Sequence, residues 1–514
     1  NIKPDENSFF LSLDLSNYIS AEEKENNIAN TKQFQLNQLN QLLNPDYRIT
    51  SEELNNSLET IGKYAISPRG VVNGDIEKWT RIHHEIQLPF ESWKYLHNAV
   101  TKNELYAGCQ EIIDWSTNGK GMLRPGLGNE AYNRKGISVS RMASLPSTLY
   151  LGYLYDQNTS VLVPEDHSLI PALWAFSTSS DFNALVRKID QKVGVTPATL
   201  LKIPFDINHW QKVAAVKYPN GLPMPNSDDP TQWLFHGHPA KSDNPLQVSM
   251  ARLLGYRWPA ESDPDMELSD ETKQLIETIK EFDHFTDDDG IFCIPSVNAE
   301  QAGAESLRDY LQAVFATEWN NQTITQLLQK EGANSANLET WLRDEFFIQH
   351  CKVFQNRPFI WHIWDGRKDG FSALVNYHKL DKENLSKLIY TYLGDWIRMC
   401  EAKKKAEESG AEGLLSAALK LKEKLEAILN GEKPYDIFVR WKPIEQQPIG
   451  WEPDLNDGVR LNIRPFIEAD VLRKKPNIKW GVDRGKNPPG SPWGEIRDND
   501  KHLSLEEKRS IKKT

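Results

Sequence analysis

Cations and short hydroxyls, rather than nucleophiles or metal ligands, are the residues of this chain whose types and spacing could do chemistry. Arg134, Lys135 and Arg141 bracket Ser138 and Ser140 in one short stretch, and Lys120 and Arg124 lie just before it. Guanidinium and ammonium groups seek phosphate or read guanine, and serine hydroxyls are short partners beside them. Solvated surface charge is the competing reading for each residue taken alone. The candidates for other chemistry fail on spacing. His236-Gly237-His238 offers two imidazoles but no nearby further ligands, so packing within a loop accounts for it better than a metal. Asp287-Asp288-Asp289-Gly290 lacks the alternating acids of a calcium loop, with Phe285 and Ser296 at positions that would need carboxylates, and reads as a charged turn before a strand. Cys109, Cys293, Cys351 and Cys400 are widely separated and form no Cys-x-x-Cys pair, as expected of reduced thiols in a cytoplasmic protein. No Gly-x-Ser-x-Gly elbow occurs. No catalytic, cofactor-binding or metal-ligating residue is therefore assigned.

The elements that must position the basic residues follow from periodicity. Apolar runs at 147–155 and 160–163 predict strands. Asp166 or Ser168 is placed to cap a helix through Trp174 and Phe176, and Ser180 a second over 181–192. A short strand is expected over 199–203. Upstream, leucines at 36, 39, 42 and 43 predict a helical tract around 22–43. Pro, Gly and Asp crowd 219–270 and suggest a boundary near 260. Beyond it the pattern is mostly helical, interrupted by RPFIWHIWDGRKDGFSALVNYHKL (357–380). That block has two strand-like runs separated by Asp-Gly turns, which predicts a hairpin. Its Trp361 and Trp364 are expected in a core, and Arg367 and Lys368 at a turn able to touch phosphate. After Pro434 the apolar content is too thin for an independent core, so the tail should wrap another part of the molecule.

The chain has 514 residues and a net charge of −12. Residues 261–305 hold 14 carboxylates against 2 lysines, which accounts for the whole imbalance; 132–218 and 458–514 are net positive. Phosphate binding depends on local basic surface, so the overall charge does not exclude DNA. No run of about 18 apolar residues occurs, and no membrane span is expected. The chain begins at Asn1, a residue that does not usually permit removal of an initiator methionine, and the expectation is a portion of a longer protein.

Ordered blocks across residues 66–514 resemble the large adenine-specific (N6) DNA methylases of BREX and DISARM phage defence and of type IIG restriction–modification. Those blocks are Arg357–Leu380, with its Arg-Pro-Phe-x-Trp and Phe-x-Ala-Leu-Val-x-x-His; Gly70-Val71-Val72-Asn73-Gly74-Asp75 with Lys78-Trp79-Thr80-Arg81 and His83-His84-Glu85; Asp114–Gly119; Asn133–Ser140; Ala172–Phe176 with Phe182-Asn183; Leu200–Pro204; Asp289–Pro295; and Asp454–Asn462. Asn456 stands where the family has Asp, and the last block is expected to be a structural turn pinning the tail. The resemblance implies methyl transfer from S-adenosylmethionine to a flipped adenine in duplex DNA. The Gly-rich cofactor loop and the Asn-Pro-Pro-aromatic loop of such enzymes are missing. Asn44-Pro45-Asp46-Tyr47 follows a helical rather than a strand-like run. Asn487-Pro488-Pro489-Gly490 lacks the aromatic. The loop Arg124–Asn129 has glycines but no strand before it.

The expected fold is α+β: a mixed target-recognition domain, then a mainly helical domain with a β-hairpin and an extended tail. The expected segments are a helical linker (1–66), the recognition domain (67–260), the helical domain (261–433) and a Pro/Trp/Gly-rich tail (434–514). The expected function is duplex binding and site recognition as the C-terminal part of an adenine-N6 methyltransferase, the chain alone being inactive. Its DNA-contacting residues are Lys78, Arg81, Lys120, Arg124, Arg134, Lys135, Ser138, Ser140, Arg141, Arg367 and Lys368. S-adenosylmethionine would be bound elsewhere in the full enzyme. Partners would be double-stranded DNA and an upstream methyltransferase domain or methylase subunit. The alternatives are a separately encoded specificity subunit and a helical protein-interaction scaffold with an acidic surface.

Overall fold

The computed structural model describes residues 3–15, 18–44, 47, 49–50, 58–298, 300–436, 445, 447–479 and 503–513. The fold is α+β, with small, mostly antiparallel sheets set among helices. The chain forms two compact units interleaved in sequence. The first comprises 1–73, 94–109 and 117–223; the second comprises 74–93, 110–116 and 224–514. The expected 67–260 segment is thus divided, because residues 74–93 and 110–116 pack with the C-terminal half.

In the first unit a four-stranded antiparallel sheet has the order Ala65–Ile66, Thr159–Pro164, Gly136–Ser140, Ser147–Tyr150. Ile137, Val139, Leu149 and Leu162 share one face and pack on Ala172, Leu173 and Phe176 of the helix Ile170–Ser177. Tyr150, Val161 and Val163 occupy the opposite face with Ala131 and Tyr155. Both faces are covered, so these strands read as continuous buried runs rather than alternating ones. Gly136 is squeezed by this pairing. A Cβ there would fall well inside contact distance of the Leu162 carbonyl on the neighbouring strand. Gly136→Ala is expected to cost about 1–3 kcal/mol through overpacking. A urea titration checks it, and an unchanged midpoint would show that the strands can part without penalty.

Several local expectations differ from the structure. Residues 33–37 form a strand paired antiparallel with Phe9–Leu13, not part of a helix. The alternation Phe34, Leu36 outweighs the leucine spacing further on, and helix is confined to Ala21–Asn27 and Gln38–Gln41. The stretch 199–203 is not a strand: Pro197–Leu200 is a helical turn capped by Thr196. The helix over 180–189 is capped by Ser179, one residue earlier than expected.

The second unit is built around the hairpin. Ile360–Trp364 pairs with Ser372–Asn376, in the register Trp361↔Val375, and Ile291–Cys293 adds a third strand. The Asp365 carboxylate accepts the N–H groups of Arg367 (3.0 Å) and Phe371 (2.9 Å) and so closes the turn. Trp361 is fully buried in a core that includes Trp341, Trp451 and Phe466. The helices Pro245–Leu253, Gly303–Phe315, Leu338–Asp344, Phe346–Val353, Leu393–Lys405 and Ala411–Asn430 contribute many of the other core residues. The tail joins this core. Trp451 donates its indole N–H to the Leu380 carbonyl (2.9 Å). Trp364 N–H donates to Val471 O and Arg473 N–H to His362 O, both at 2.9 Å, so the tail lines the hairpin edge. The Arg473 guanidinium lies 4.3 Å from the ring centre of Trp364. No helix among the described residues is long and apolar enough to cross a membrane.

Candidate nucleic-acid interface

The sequence-predicted DNA contacts separate by burial. Lys120 and Arg124 are exposed on the loop 117–129 of the first unit. The loop is organised from below. Arg124 and Val72 exchange backbone hydrogen bonds (2.9 and 2.8 Å), Lys120 N–H donates to Thr117 O, and Met122 N–H donates to Gly119 O. Met122 is buried under the loop. Gly119, Gly121, Gly126 and Gly128 all have positive φ, which lets the chain turn repeatedly without Cβ clashes. The Asn129 amide donates to Arg69 O (2.9 Å) and Tyr155 OH (3.0 Å), which brings exposed Arg69 beside the loop. Sequence reasoning missed Arg69, because only this long-range amide contact ties it to the loop. Glu130 is an exposed carboxylate at the loop's far end.

The Arg134–Arg141 cluster is largely committed to internal bonds. Arg134, half-buried, donates to Pro164 O (3.1 Å), and Lys135 is half-buried with interactions of its own. Arg141 donates to Val195 O (2.5 Å) and Gln157 O (2.6 Å), tying two loops together. Ser138 and Ser140 are corrections to the sequence reading. Both are buried within the central strand, and the Ser140 hydroxyl is held by Val100 N and O at 2.7 Å. Neither hydroxyl reaches a surface on which a base could lie.

Lys78, Arg81, Arg367 and Lys368 belong to the second unit. The Lys78 ammonium sits 4.6 Å from the Trp79 ring centre. Arg81 is the third correction: it is only 2% exposed and donates to Asn456 O (3.2 Å), Glu77 O (2.9 Å) and Thr80 O (2.5 Å). Its environment is an internal charged junction. Glu85 accepts from Ile82 N (3.0 Å) and Val459 N (3.1 Å); Arg460 pairs with Glu77; and the Asn456 amide oxygen accepts from Trp93 (2.8 Å). The Asp454–Asn462 block therefore pins the tail, as expected, and the Asn at 456 serves as a neutral acceptor. Arg367 is half-exposed and chelated by Asp369 (3.0 and 2.8 Å), which leaves Lys368 as the exposed cation of that turn.

The other candidates resolve as structure. His236 Nδ1 accepts from His238 N–H (2.9 Å), its Nε2 faces Asp228 (3.3 Å), and His238 Nδ1 accepts from Ala240 N–H (3.2 Å). Burial lowers the affinity of both rings for a proton. Asp287 accepts from Gly290 N (2.8 Å), and Asp289 from Ile291 N and Tyr392 OH (both 2.9 Å), which makes a turn. Burial and the neighbouring Asp289 raise the Asp287 carboxyl. The acidic segment is partly neutralised internally: Glu261 and Asp283 bind Arg252, Asp283 binds Arg257, and Asp289 binds Lys387. The four cysteines are buried and free. Among the described residues no three His, Cys, Asp or Glu side chains converge on one point. The loop Arg124–Asn129 follows an isolated bridge, not a strand, and opens no helix, so it does not fit S-adenosylmethionine. Asn44 closes a helical turn, its amide donating to Gln41 (2.9 Å); Pro45, Asp46 and the whole of 487–490 lie outside the described residues.

No protein-family model matches the chain. Over 166 residues, 30% of its length, the chain is 29% identical to the adenine-specific methyltransferase PglX of Lacticaseibacillus casei (strain Zhang). That stretch covers 13% of the relative's own length. The comparison supports kinship with methyltransferase-related proteins.

Proposed function

We propose that this chain is the duplex-holding, site-recognising portion of a SAM-dependent adenine-N6 DNA methyltransferase of bacterial phage defence or restriction–modification. The similarity to an adenine-specific methyltransferase carries this reading. The exposed cations of the 117–129 loop agree with it. Methyl transfer belongs to an upstream methyltransferase domain or a methylase subunit, which would bind S-adenosylmethionine and receive the flipped adenine. This chain contributes position. Lys120 and Arg124, with Arg69, hold phosphates first; Lys78, Arg134, Lys135, Arg367 and Lys368 are secondary contacts.

The test is duplex retention against salt. Each phosphate contact released lowers the slope of log affinity on log salt by about one. Lys120→Ala/Arg124→Ala is expected to lower the slope by about two and to weaken binding uniformly across sequences. Failure of the unmodified chain to retain duplex at low salt would sink the proposal.

A further inference from the structure

We propose that Leu123, with Leu127 beside it, is an apolar wedge that enters a base step of the bound duplex. The inference rests on the DNA-holding role above and adds a distortion that this role does not require. Leu123 is 78% exposed and Leu127 66% exposed. The two aliphatic side chains stand exposed within five residues of each other on one loop, a local apolar point rather than a single surface leucine.

Three observations favour DNA as that occupant. The loop is held rather than slack: the Arg124–Val72 bridge, buried Met122 and the Asn129 amide fix it on both sides of Leu123. The chain direction places Met122 inward and Leu123 outward. Within residues 117–130 the charged side chains are Lys120, Arg124 and Glu130, and the Asn129 amide ties exposed Arg69 to the loop. An apolar point framed by cations complements a base stack framed by phosphates. A protein interface centred on Leu123 would have to desolvate Lys120, and interface cores are depleted in lysine. Leucine wedges inserted between base pairs unstack a step and kink the duplex. For a reaction on a base that must leave the stack, such unstacking lowers what extrusion has left to overcome.

The consequence is a preference for DNA whose stacking is already broken, and it can be measured without knowing the recognition site. The probes are a short paired duplex and the same duplex with a central run of mismatched bases. The 514-residue chain is expected to bind the mismatched probe about tenfold more tightly. Leu123→Ser/Leu127→Ser should bind the two probes equally, and Leu123→Met/Leu127→Met should keep the preference. Lys120→Ala/Arg124→Ala should lose affinity for both probes in proportion and keep their ratio. A serine pair that retains the tenfold preference, or a parent chain that binds duplex without one, overturns the wedge while leaving the DNA-holding role intact. A parent chain that binds neither probe overturns both.

Discussion

Glu85→Ala is expected to destabilise the second unit by about 3–5 kcal/mol, because it leaves two buried N–H groups unsatisfied and removes the largest charge facing the buried Arg81 guanidinium. Glu85 is 1% exposed and its carboxylate serves the backbone N–H groups of Ile82 and Val459. Burial weakens the hold of the Arg81 guanidinium on its proton, and Glu85 is the largest charge opposing that effect, followed by Asp457. Truncation strands both N–H groups and leaves Arg81 under-compensated. The junction has no spare room. Gly458, at φ +77°, lies so close that a Cβ would sit 2.9 Å from both the Glu85 carboxylate and Arg81 Nε. Glu85→Gln keeps the shape and one acceptor and should cost less, about 1–3 kcal/mol. Adding Arg81→Met to Glu85→Ala should recover part of the loss, because it removes the orphaned charge. Urea unfolding gives the magnitudes, and hydrogen exchange at residues 456–462 locates them. A loss below about 1 kcal/mol for Glu85→Ala would mean that solvent reaches the junction.

That junction also shows where sequence reading stops. The hairpin was legible because its signals are local: alternating Ile360, Trp361, His362, Ile363 and two Asp-Gly turns. The helices at 170–177 and 180–189 were legible from their apolar residues, while Asp166 caps only the turn leading into the first and Ser179 rather than Ser180 caps the second. Arg81 was not. Its partner Asn456 lies 375 residues away, about as distant as Val459 is from the neighbouring Glu85, and nothing near position 81 distinguishes an arginine bound for a buried junction from one bound for phosphate. Ser138 and Ser140 failed for a related reason. A serine on a strand covered on both faces has the same local sequence as one on a solvated face, and only the helix Ile170–Ser177 and the Tyr150–Tyr155 cluster decide between them. The exposed loop cations were legible because glycines at 119, 121, 126 and 128 keep 117–129 out of any regular element. Of the cations expected at DNA, Lys120 and Arg124 stand exposed on one loop of the first unit and Lys368 on a turn of the second.

Acidification from pH 7 to pH 5 should destabilise the second unit, through histidines held neutral in its interior. His83 and His378 are pushed down to about 4 and His350 and His362 to about 3; His84 lies well below its ordinary value. Burial is the first cause in every case, and for His84 the neighbouring His83, His350 and His378 add to it. The hydrogen bonds agree. The Nε2 atoms of His83, His84 and His378 face the carbonyls of Thr231 (3.0 Å), Arg357 (3.1 Å) and His84 (2.9 Å). An Nε2–H donor satisfies each carbonyl, and the Nδ1 atoms of His83 and His84 then have no partner to accept a second proton's hydrogen bond. Phe354 and Phe359 pack on the His84 ring at 5.1 and 5.6 Å and leave it no polar exit. In the unfolded chain these rings titrate near 6.5. Their contribution is therefore fully present above pH 6.5 and is lost as pH falls toward their folded values, at about 1.4 kcal/mol per pH unit for each ring. By pH 5 His83, His378, His350 and His362 have each given up about 2 kcal/mol, a large share of the stability of an ordinary domain. Asp287, Glu300, Glu331 and Asp365 act in the opposite sense, since burial raises their carboxyls and folding then favours proton uptake. His236 and His238, also lowered by burial, add to the histidine side. Melting temperature measured from pH 7.5 to 4.5 should fall steeply below pH 6. His362→Gln, which removes the ring that faces Ser372 Oγ at 2.9 Å, should lower stability at pH 7 yet flatten the slope by about one proton. A melting temperature that stays level from pH 7 to 5 would show that these rings are charged in the folded protein or reach solvent.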